Sequence, residues 1–220
     1  MSDLLKFSAI CKGNGLEIDD ARLAKLNEYV RLLLNWNTKI NLISRNDISN
    51  VWYSHILHSI SLLFFVEIQQ NSKLLDLGTG GGLPGIPIAI VRSDLRITLL
   101  DSIKKKTAAV QDMVSKLNLS NIDVVTGRAE ETCSKLEYAR RFDMVISRAI
   151  APLNDLIKWS WPFLRRSGSR LITLKGGDLD DELKEARIKS KPKDISVTNL
   201  VFDGSEEIGF EGKKIVTVYM

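Results

Sequence analysis

The chain of 220 residues is long enough for one large domain, or for a domain with a small extension. Hydrophobic residues make up 44% and charged residues 26%, which excludes a fibrous or disordered composition. The formal net charge of +4 is unevenly distributed, because residues 73–150 carry 12 basic and 9 acidic side chains whereas residues 1–72 carry seven of each. This excess permits a polyanionic partner but does not demand one.

The two cysteines, Cys11 and Cys133, form no CxxC pair, which disfavours both a disulfide framework and a zinc site. We therefore expect reduced thiols and no metal. The stretch MSDLLKFSAICKG lacks the basic and apolar regions of a signal peptide, and no apolar run approaches the length of a membrane span. These features predict a cytoplasmic protein without a membrane anchor. The sequence leaves the oligomeric state open, and we favour a monomer.

Residues 1–70 are predicted to form a helical extension, because no β pattern interrupts them. Asp19 or Asp20 is expected to cap a helix whose apolar stripe consists of Leu23, Leu26, Val30 and Leu33. A second predicted helix has one face formed by Trp52, Ile56, Ser59, Ile60 and Leu63.

Residues 71–220 are predicted to form a second unit, in which short β-rich runs alternate with helices. The runs are KLLDL, RITLL, IDVVTG, FDMVISRAI, RLITLKG, DISVTNLVF and KKIVTVYM. This alternation is typical of parallel βαβ units, so it predicts an α/β sheet of seven strands with helices on both faces. The last two runs have no helix between them, and we expect them to form an antiparallel hairpin.

A glycine cluster follows the first predicted strand, at Gly78, Gly80, Gly81 and Gly82. Glycine within an element costs about 0.5–1 kcal/mol relative to alanine, so the cluster indicates either a tight corner or a bare backbone that a ligand approaches. In an open α/β sheet the ligand lies beyond the carboxyl ends of the strands. The loop is therefore the predicted ligand site.

Residues 80–85, GGGLPG, match the G-x-G-x-x-G pattern of dinucleotide sites, which keeps a nicotinamide or flavin enzyme open. Asp76, at the end of the first strand, is unfavourable beside a pyrophosphate and favourable beside the sulfonium of S-adenosylmethionine. Asp101, at the end of the second strand, can accept hydrogen bonds from ribose hydroxyls or can cap the following helix. Residues 127–130, GRAE, lie where an adenine would be contacted. Together these residues favour an adenosyl ligand.

Several motifs resemble the bacterial small-subunit rRNA guanine-N7 methyltransferases, the RsmG or glucose-inhibited division protein B family. They are DLGTGGGLPGIPIAIVR, LLDSIKKK, FDMVISRA and LKG, with WNTKINLIS and SHILHSI in the helical extension. The likeness covers roughly residues 20–177. The chain departs from the family's RHILDS pattern at Ser54 and His58, which puts in doubt a salt bridge or RNA contact at those positions.

The resemblance implies a Rossmann-like class I methyltransferase fold, S-adenosylmethionine as cofactor, and one guanine of 16S rRNA as substrate. Gly78, Leu83, Ala129, Glu130 and Arg148 match the family's cofactor-binding positions. Combined with the reasoning from the residues, the predicted cofactor site consists of Asp76, Gly78, Gly80, Leu83, Asp101, Ala129, Glu130 and Arg148.

The predicted RNA contacts are basic residues for phosphates and aromatic residues for a splayed base. The candidates are Lys39, Arg45, His55, Arg92, Lys104, Lys105, Lys106, Arg128, Arg148 and Lys175, with Trp36, Trp52, Trp159 and Trp161 as stacking or packing residues. His55 and His58 are spaced as a metal pair, but no further ligands accompany them.

Methyl transfer to guanine N7 needs no general base, since N7 carries a lone pair and no proton. The sequence offers no obvious base, and we expect catalysis to come from orientation. Arg148 is the candidate that could act at the substrate. Two alternatives stay open: an NAD(P)- or FAD-dependent oxidoreductase, and a ribosome-assembly factor that binds RNA without catalysis.

Overall fold

The chain folds around one seven-stranded sheet. A computed structural model describes residues 3–148, 151–166 and 168–219. The strands are β1 (Lys73–Leu77), β2 (Arg96–Asp101), β3 (Ile122–Thr126), β4 (Met144–Arg148), β5 (Arg170–Gly176), β6 (Asp194–Asn199) and β7 (Lys213–Tyr219). Their order across the sheet is β3-β2-β1-β4-β5-β7-β6.

Strands β1 to β5 are parallel to one another, whereas β7 is antiparallel to both of its neighbours, β5 and β6. The predicted α/β sheet of seven strands with a final antiparallel hairpin is therefore confirmed. Ala149, Ile150 and Met220, which we expected in two of the strand runs, lie outside the described residues. The strand order reverses between β1 and β4, which places the ligand crevice of such sheets at the ends of these two strands.

Helices cover both faces of the sheet. Helices α5 (Gly85–Val91) and α6 (Lys104–Lys116) pack on one face, together with the N-terminal helices. Helices α7 (Ala129–Thr132), α8 (Leu153–Ser160) and α9 (Asp180–Lys189) bury their apolar residues on the other. Neighbouring residues of β1 alternate between the two faces, so Leu74 belongs to the first cluster and Leu75 to the second.

The N-terminal helices are α1 (Asp3–Gly13), α2 (Asp20–Asn37), α3 (His58–Ile60) and α4 (Leu62–Phe65), with a 3-10 helix over Arg45–Asn50. Of the two residues predicted to cap α2, Asp19 is the cap, and its side chain accepts a hydrogen bond from the backbone N–H of Arg22. Helix α1 was not predicted, because its apolar residues are spread around the helix, and Leu5 is left exposed. The predicted boundary near residue 70 falls between α4 and β1, yet residues on both sides of it share one buried cluster.

The second predicted helix is not one continuous α-helix. Residues Trp52–Leu57 form a π-helix that leads directly into α3. Trp52, Ile56 and Ile60 are buried as predicted, and the wider turn also brings His55 inward. Tyr53 and Leu57 are buried as well, so this segment is enclosed on more than the one predicted face. Among residues 3–148, 151–166 and 168–219, no helix is long and apolar enough to cross a membrane.

Candidate active site

Backbone hydrogen bonds hold the glycine-rich loop that follows β1 in place. The N–H groups of Gly78 and Thr79 both donate to the carbonyl of Leu100 on β2, and those of Gly82 and Leu83 donate to the carbonyl of Thr79. Gly78, Gly80 and Gly82 have positive φ, a region that L side chains rarely adopt. The glycines are thus required by the path of the chain as well as by any ligand.

Asp76 lies beneath this loop and is fully buried. Its Oδ2 accepts hydrogen bonds from the Thr79 hydroxyl at 2.7 Å and from the Gly85 N–H at 2.9 Å, while its Oδ1 is buried without a partner. Burial raises the pKa of Asp76 to about 7, although the two hydrogen bonds oppose the shift. Asp76 therefore shapes the loop from below, and its side chain does not line the cavity described next.

The raised pKa of Asp76 predicts a pH dependence of folding. Because its pKa is about 7 in the folded protein and ordinarily 3.8, the folded chain binds an extra proton between these values. Stability from this group is therefore greatest below about pH 4 and is lost as the pH rises through 7. In Asp76→Asn we expect this loss to disappear. Urea unfolding midpoints at pH 5, 6, 7 and 8 measure this loss of stability. If the midpoints of the two proteins change with pH in parallel, the pH dependence does not come from Asp76.

Asp101, at the end of β2, connects the loop to helix α6. Its Oδ2 accepts from the Gly80 N–H at 2.9 Å and its Oδ1 from the Ile103 N–H at 2.8 Å. Asp101 thus holds Ile103, the residue that precedes α6. This contact corresponds to helix capping, one of the two roles predicted for Asp101. Each carboxylate oxygen still has a free lone pair for a ribose hydroxyl. The same side chain can therefore hold the start of α6 and accept hydrogen bonds from a ribose.

A cavity of about 350 Å³ opens at the ends of β1, β2 and β3. Its walls contain four of the predicted cofactor residues: Gly78, Asp101, Ala129 and Glu130. The structure adds five residues that sequence reasoning did not assign to the cofactor: Leu100, Ser102, Ile103, Lys106 and Trp159. A carboxylate, a bare backbone and an apolar and aromatic wall fit a nucleoside such as the adenosyl group of S-adenosylmethionine.

The other four predicted cofactor residues, Asp76, Gly80, Leu83 and Arg148, do not line this cavity. Leu83 is 4% exposed and packs in the core beneath the loop. Arg148 is half-buried at the end of β4 and belongs to a separate group of residues from the helical extension. The Gly80 N–H donates to Asp101, which does line the cavity. The predicted residues are therefore divided between the cavity, the loop and the end of β4.

The guanidinium of Arg148 donates to the Ser54 carbonyl at 3.2 Å and to Nδ1 of His55 at 2.8 Å. Since an arginine only donates, Nδ1 of His55 must be unprotonated. Burial and the charges of Arg148 and Lys213 lower the pKa of His55 to about 3, so the ring is neutral at physiological pH. Its Nε2 lies 3.5 Å from Oδ2 of Asp47. His55 therefore orients Arg148.

The two departures from the family pattern have structural roles. Ser54 contributes its backbone carbonyl to Arg148, which any residue type could supply. His58 is half-buried with an edge-on contact to Phe210, 5.6 Å between ring centres, and desolvation keeps its pKa well below the usual value. Neither arrangement brings the two histidines together with other metal ligands, and no such group occurs among the described residues.

Five of the predicted RNA contacts are exposed: Lys39, Arg45, Lys104, Lys105 and Arg128. Lys106 is half-buried in the cavity wall. The other candidates are engaged within the protein. His55 is 6% exposed, Lys175 is paired with Glu182 at 2.8 Å, and Arg92 is paired with Asp94 at 2.7 Å. Arg92 also directly follows α5 and precedes the start of β2, whereas the cavity lies at the end of β2.

The four tryptophans differ in environment. Trp52 packs on Phe7, and Trp36 donates from Nε1 to Asp112 at 2.8 Å, so both are structural. Trp161 is 43% exposed beside Arg140, whose guanidinium carbon lies 5.7 Å from the indole centre. Only Trp159 of these four lies at the cavity.

Solved structures with the same fold include Aeropyrum pernix fibrillarin in complex with S-adenosylmethionine, with a TM-score of 0.54 at 16% identity, covering 76% of this chain and 75% of that one. Methanococcus jannaschii TYW2 in complex with AdoMet gives 0.54 at 14% identity, over 82% and 77%. The fold is that of the class I methyltransferases.

The family model described as rRNA small subunit methyltransferase G matches residues 22–208. The protein of that name from Chlorobium chlorochromatii is 38% identical over 212 residues, covering 96% of this chain and 88% of the relative. The one from Chlorobium phaeobacteroides is 39% identical over 190 residues, covering 86% and 83%. The chain belongs to this methyltransferase family, and its cofactor is S-adenosylmethionine. The oxidoreductase alternative is thereby set aside.

Proposed function

We propose that this protein transfers a methyl group from S-adenosylmethionine to N7 of a guanine in the RNA of the small ribosomal subunit. The proposal rests above all on the cavity at the ends of β1 to β3, where a ribose acceptor and a bare loop meet. Membership of the family and the names of the relatives support the substrate. We further propose that the protein acts as a monomer in the cytoplasm.

The cofactor would supply an electrophilic methyl group on a sulfonium centre. We assign the ribose to Asp101 and the adenine to Ala129, Glu130 and Trp159, which line the same cavity. The backbone of Gly78 and Gly80 gives the close approach that a side chain would prevent. Asp76 and Leu83 act indirectly, because one holds the loop and the other packs beneath it.

Catalysis in this site would consist of orientation. N7 of guanine has a lone pair and loses no proton, so no side chain has to act as a base. Holding the base and the methyl donor in line can lower a barrier by about 7–11 kcal/mol. Arg148 is fixed at the neighbouring strand end by Ser54 and His55, where we propose that it contacts the substrate or the cofactor.

The exposed basic residues would hold the RNA by its phosphates. Lys104, Lys105 and Arg128 flank the cavity, and Lys39 and Arg45 lie on the helical extension. Binding through phosphates weakens steeply with salt, because bound counterions are released. We expect RNA affinity to fall accordingly between 50 and 200 mM salt, roughly the range over which such contacts are lost.

Replacing Arg148 with alanine is expected to reduce methyl transfer at least about tenfold, as removal of a charged hydrogen-bonding group does. Arg148 has no carboxylate partner among the described residues, so we expect Tm to fall by only a few degrees, about the effect of two unsatisfied bonds. Arg96, an exposed arginine at the start of β2, provides the matched control. A large fall in Tm with unchanged turnover would mean that Arg148 is structural.

The function itself is tested with tritiated S-adenosylmethionine and RNA from cells that lack this gene. Both naked rRNA and purified small subunits are offered, since either can carry the target. Borohydride and aniline cleave RNA at N7-methylguanosine, so one new cleavage site in treated RNA is the expected result. RNA binding without methyl transfer would instead support an assembly factor.

A further inference from the structure

Helix α2 of the extension contacts two elements, the glycine-rich loop and helix α6, that contribute other residues to the cofactor cavity. The hydroxyl of Tyr29 donates to the backbone carbonyl of Gly81, in the glycine-rich loop, at 2.9 Å. The residue before it in the loop, Gly80, is held by Asp101. Two turns along α2, Nε1 of Trp36 donates to Asp112 of α6, whose first turn lines the cavity. The helix thus bridges the elements after β1 and β2.

The loop and the extension are packed as closely as their backbones allow. A Cβ on Gly81 would lie 3.0 Å from Cδ1 of Leu33 and 3.3 Å from Cβ of Leu42. A Cβ on Gly82 would be closest to the Ile86 side chain of α5 and would lie 3.4 Å from the Tyr29 hydroxyl. Gly81 is therefore packed against the extension and Gly82 against α5 and Tyr29, whereas Gly78 lines the cavity. The two sides of the loop are covered by different partners.

The hydroxyl of Tyr29 donates its hydrogen bond to the Gly81 carbonyl. The residue is 0% exposed, and burial raises the pKa of the phenol, so it keeps its proton. A buried hydroxyl that cannot ionise must donate to an acceptor, and the Gly81 carbonyl is the acceptor that it finds. In turn, this hydrogen bond fixes the orientation of the Gly81 carbonyl.

We propose that Tyr29 is a positioning residue for the cofactor, which holds the glycine-rich loop in its binding conformation through the Gly81 carbonyl. This inference rests on the proposed function, because it takes the loop as the cofactor site. Without the hydroxyl the loop would populate other conformations, and the apparent affinity would fall by the fraction that is lost. The bond is worth about a fivefold change in affinity.

The test compares Tyr29→Phe with Tyr53→Phe. Tyr53 is a matched control, since its hydroxyl likewise donates one hydrogen bond, to the Asp3 carboxylate at 3.3 Å, within the extension and away from the loop. Calorimetry with S-adenosylhomocysteine gives Kd for the three proteins. Hydrogen exchange of the peptide spanning residues 78–86 reports on the loop without any ligand. Both measurements use the full chain.

We expect Kd to rise about fivefold and the loop to exchange faster in Tyr29→Phe, with neither change in Tyr53→Phe. Equal Kd in all three proteins would overturn the proposal, as would equal weakening in both variants, which would indicate general loosening of the extension. Should Tyr29→Phe be too unstable for calorimetry, an unchanged exchange rate of the loop relative to the rest of the sheet would overturn it as well. Failure of the wild-type protein to bind S-adenosylhomocysteine would count against the proposed function itself.

Discussion

Asp101→Ala is expected to weaken the binding of S-adenosylhomocysteine by about a hundredfold, the effect of losing two hydrogen bonds to a charged group. The substitution removes the proposed ribose acceptor from the cavity. It also releases the N–H groups of Gly80 and Ile103, which the two carboxylate oxygens now hold. Affinity should therefore be lost both by direct contact and by loosening of the loop. Isothermal titration calorimetry measures the change.

Two further variants separate these causes. Asp101→Asn keeps one acceptor oxygen and is expected to lose less affinity than the alanine variant. Asp123→Ala removes an exposed carboxylate from the next strand, away from the cavity, and should bind as the wild type does. Unchanged affinity in Asp101→Ala, with a folded protein by circular dichroism, would remove Asp101 from the cofactor site.

Gly85→Ala is expected to destabilise the protein by about 3 kcal/mol, the upper part of the usual range for overpacking a core. A Cβ at this position would lie 2.3 Å from Cδ2 of Leu99 and 2.7 Å from Oδ2 of Asp76. All three residues are buried, so strand β2 or helix α5 would have to shift. For a chain of this size Tm should fall by about 10 °C.

The control for Gly85 is Gly176→Ala at the end of β5. Gly176 is exposed, and the nearest atom to its Cβ position, the Gly212 carbonyl oxygen, is 3.7 Å away. We expect a change below about 0.5 kcal/mol, as at other unconstrained surface positions. Urea denaturation of both variants gives the free energies of unfolding. Similar values for the two would mean that the β1–α5 corner can relax around an added methyl group.

The sheet was predictable because each of its strands carries its own signal. Runs such as KLLDL and RITLL are short, apolar and separated by helical spacing, which parallel pairing requires. The antiparallel hairpin of β6 and β7 followed from the missing helix between them. Helix α1 was missed, because its apolar residues follow no helical stripe. The segment Trp52–Leu57 was predicted to be helical, but its π geometry was not predicted.

The candidate site was predictable where its residues stand at strand ends. Asp101 and residues 127–130 follow β2 and β3, so their convergence on one cavity could be expected from topology alone. Trp159 and Tyr29 come from helices whose positions depend on tertiary packing, and the sequence offered only helical spacing for them. The same holds for His55, which we predicted at the RNA surface and which the structure places against Arg148.

Strand β6 has one hydrogen-bonded neighbour, β7, which separates it from the rest of the sheet. β6 precedes β7 in the chain but can join the sheet only through it. Either β6 and β7 pair first and the hairpin then docks onto β5, or β7 pairs with β5 first and β6 then pairs with β7. Until β7 pairs with β5, that edge of β5 has no partner, and an unpaired strand edge can pair with another chain.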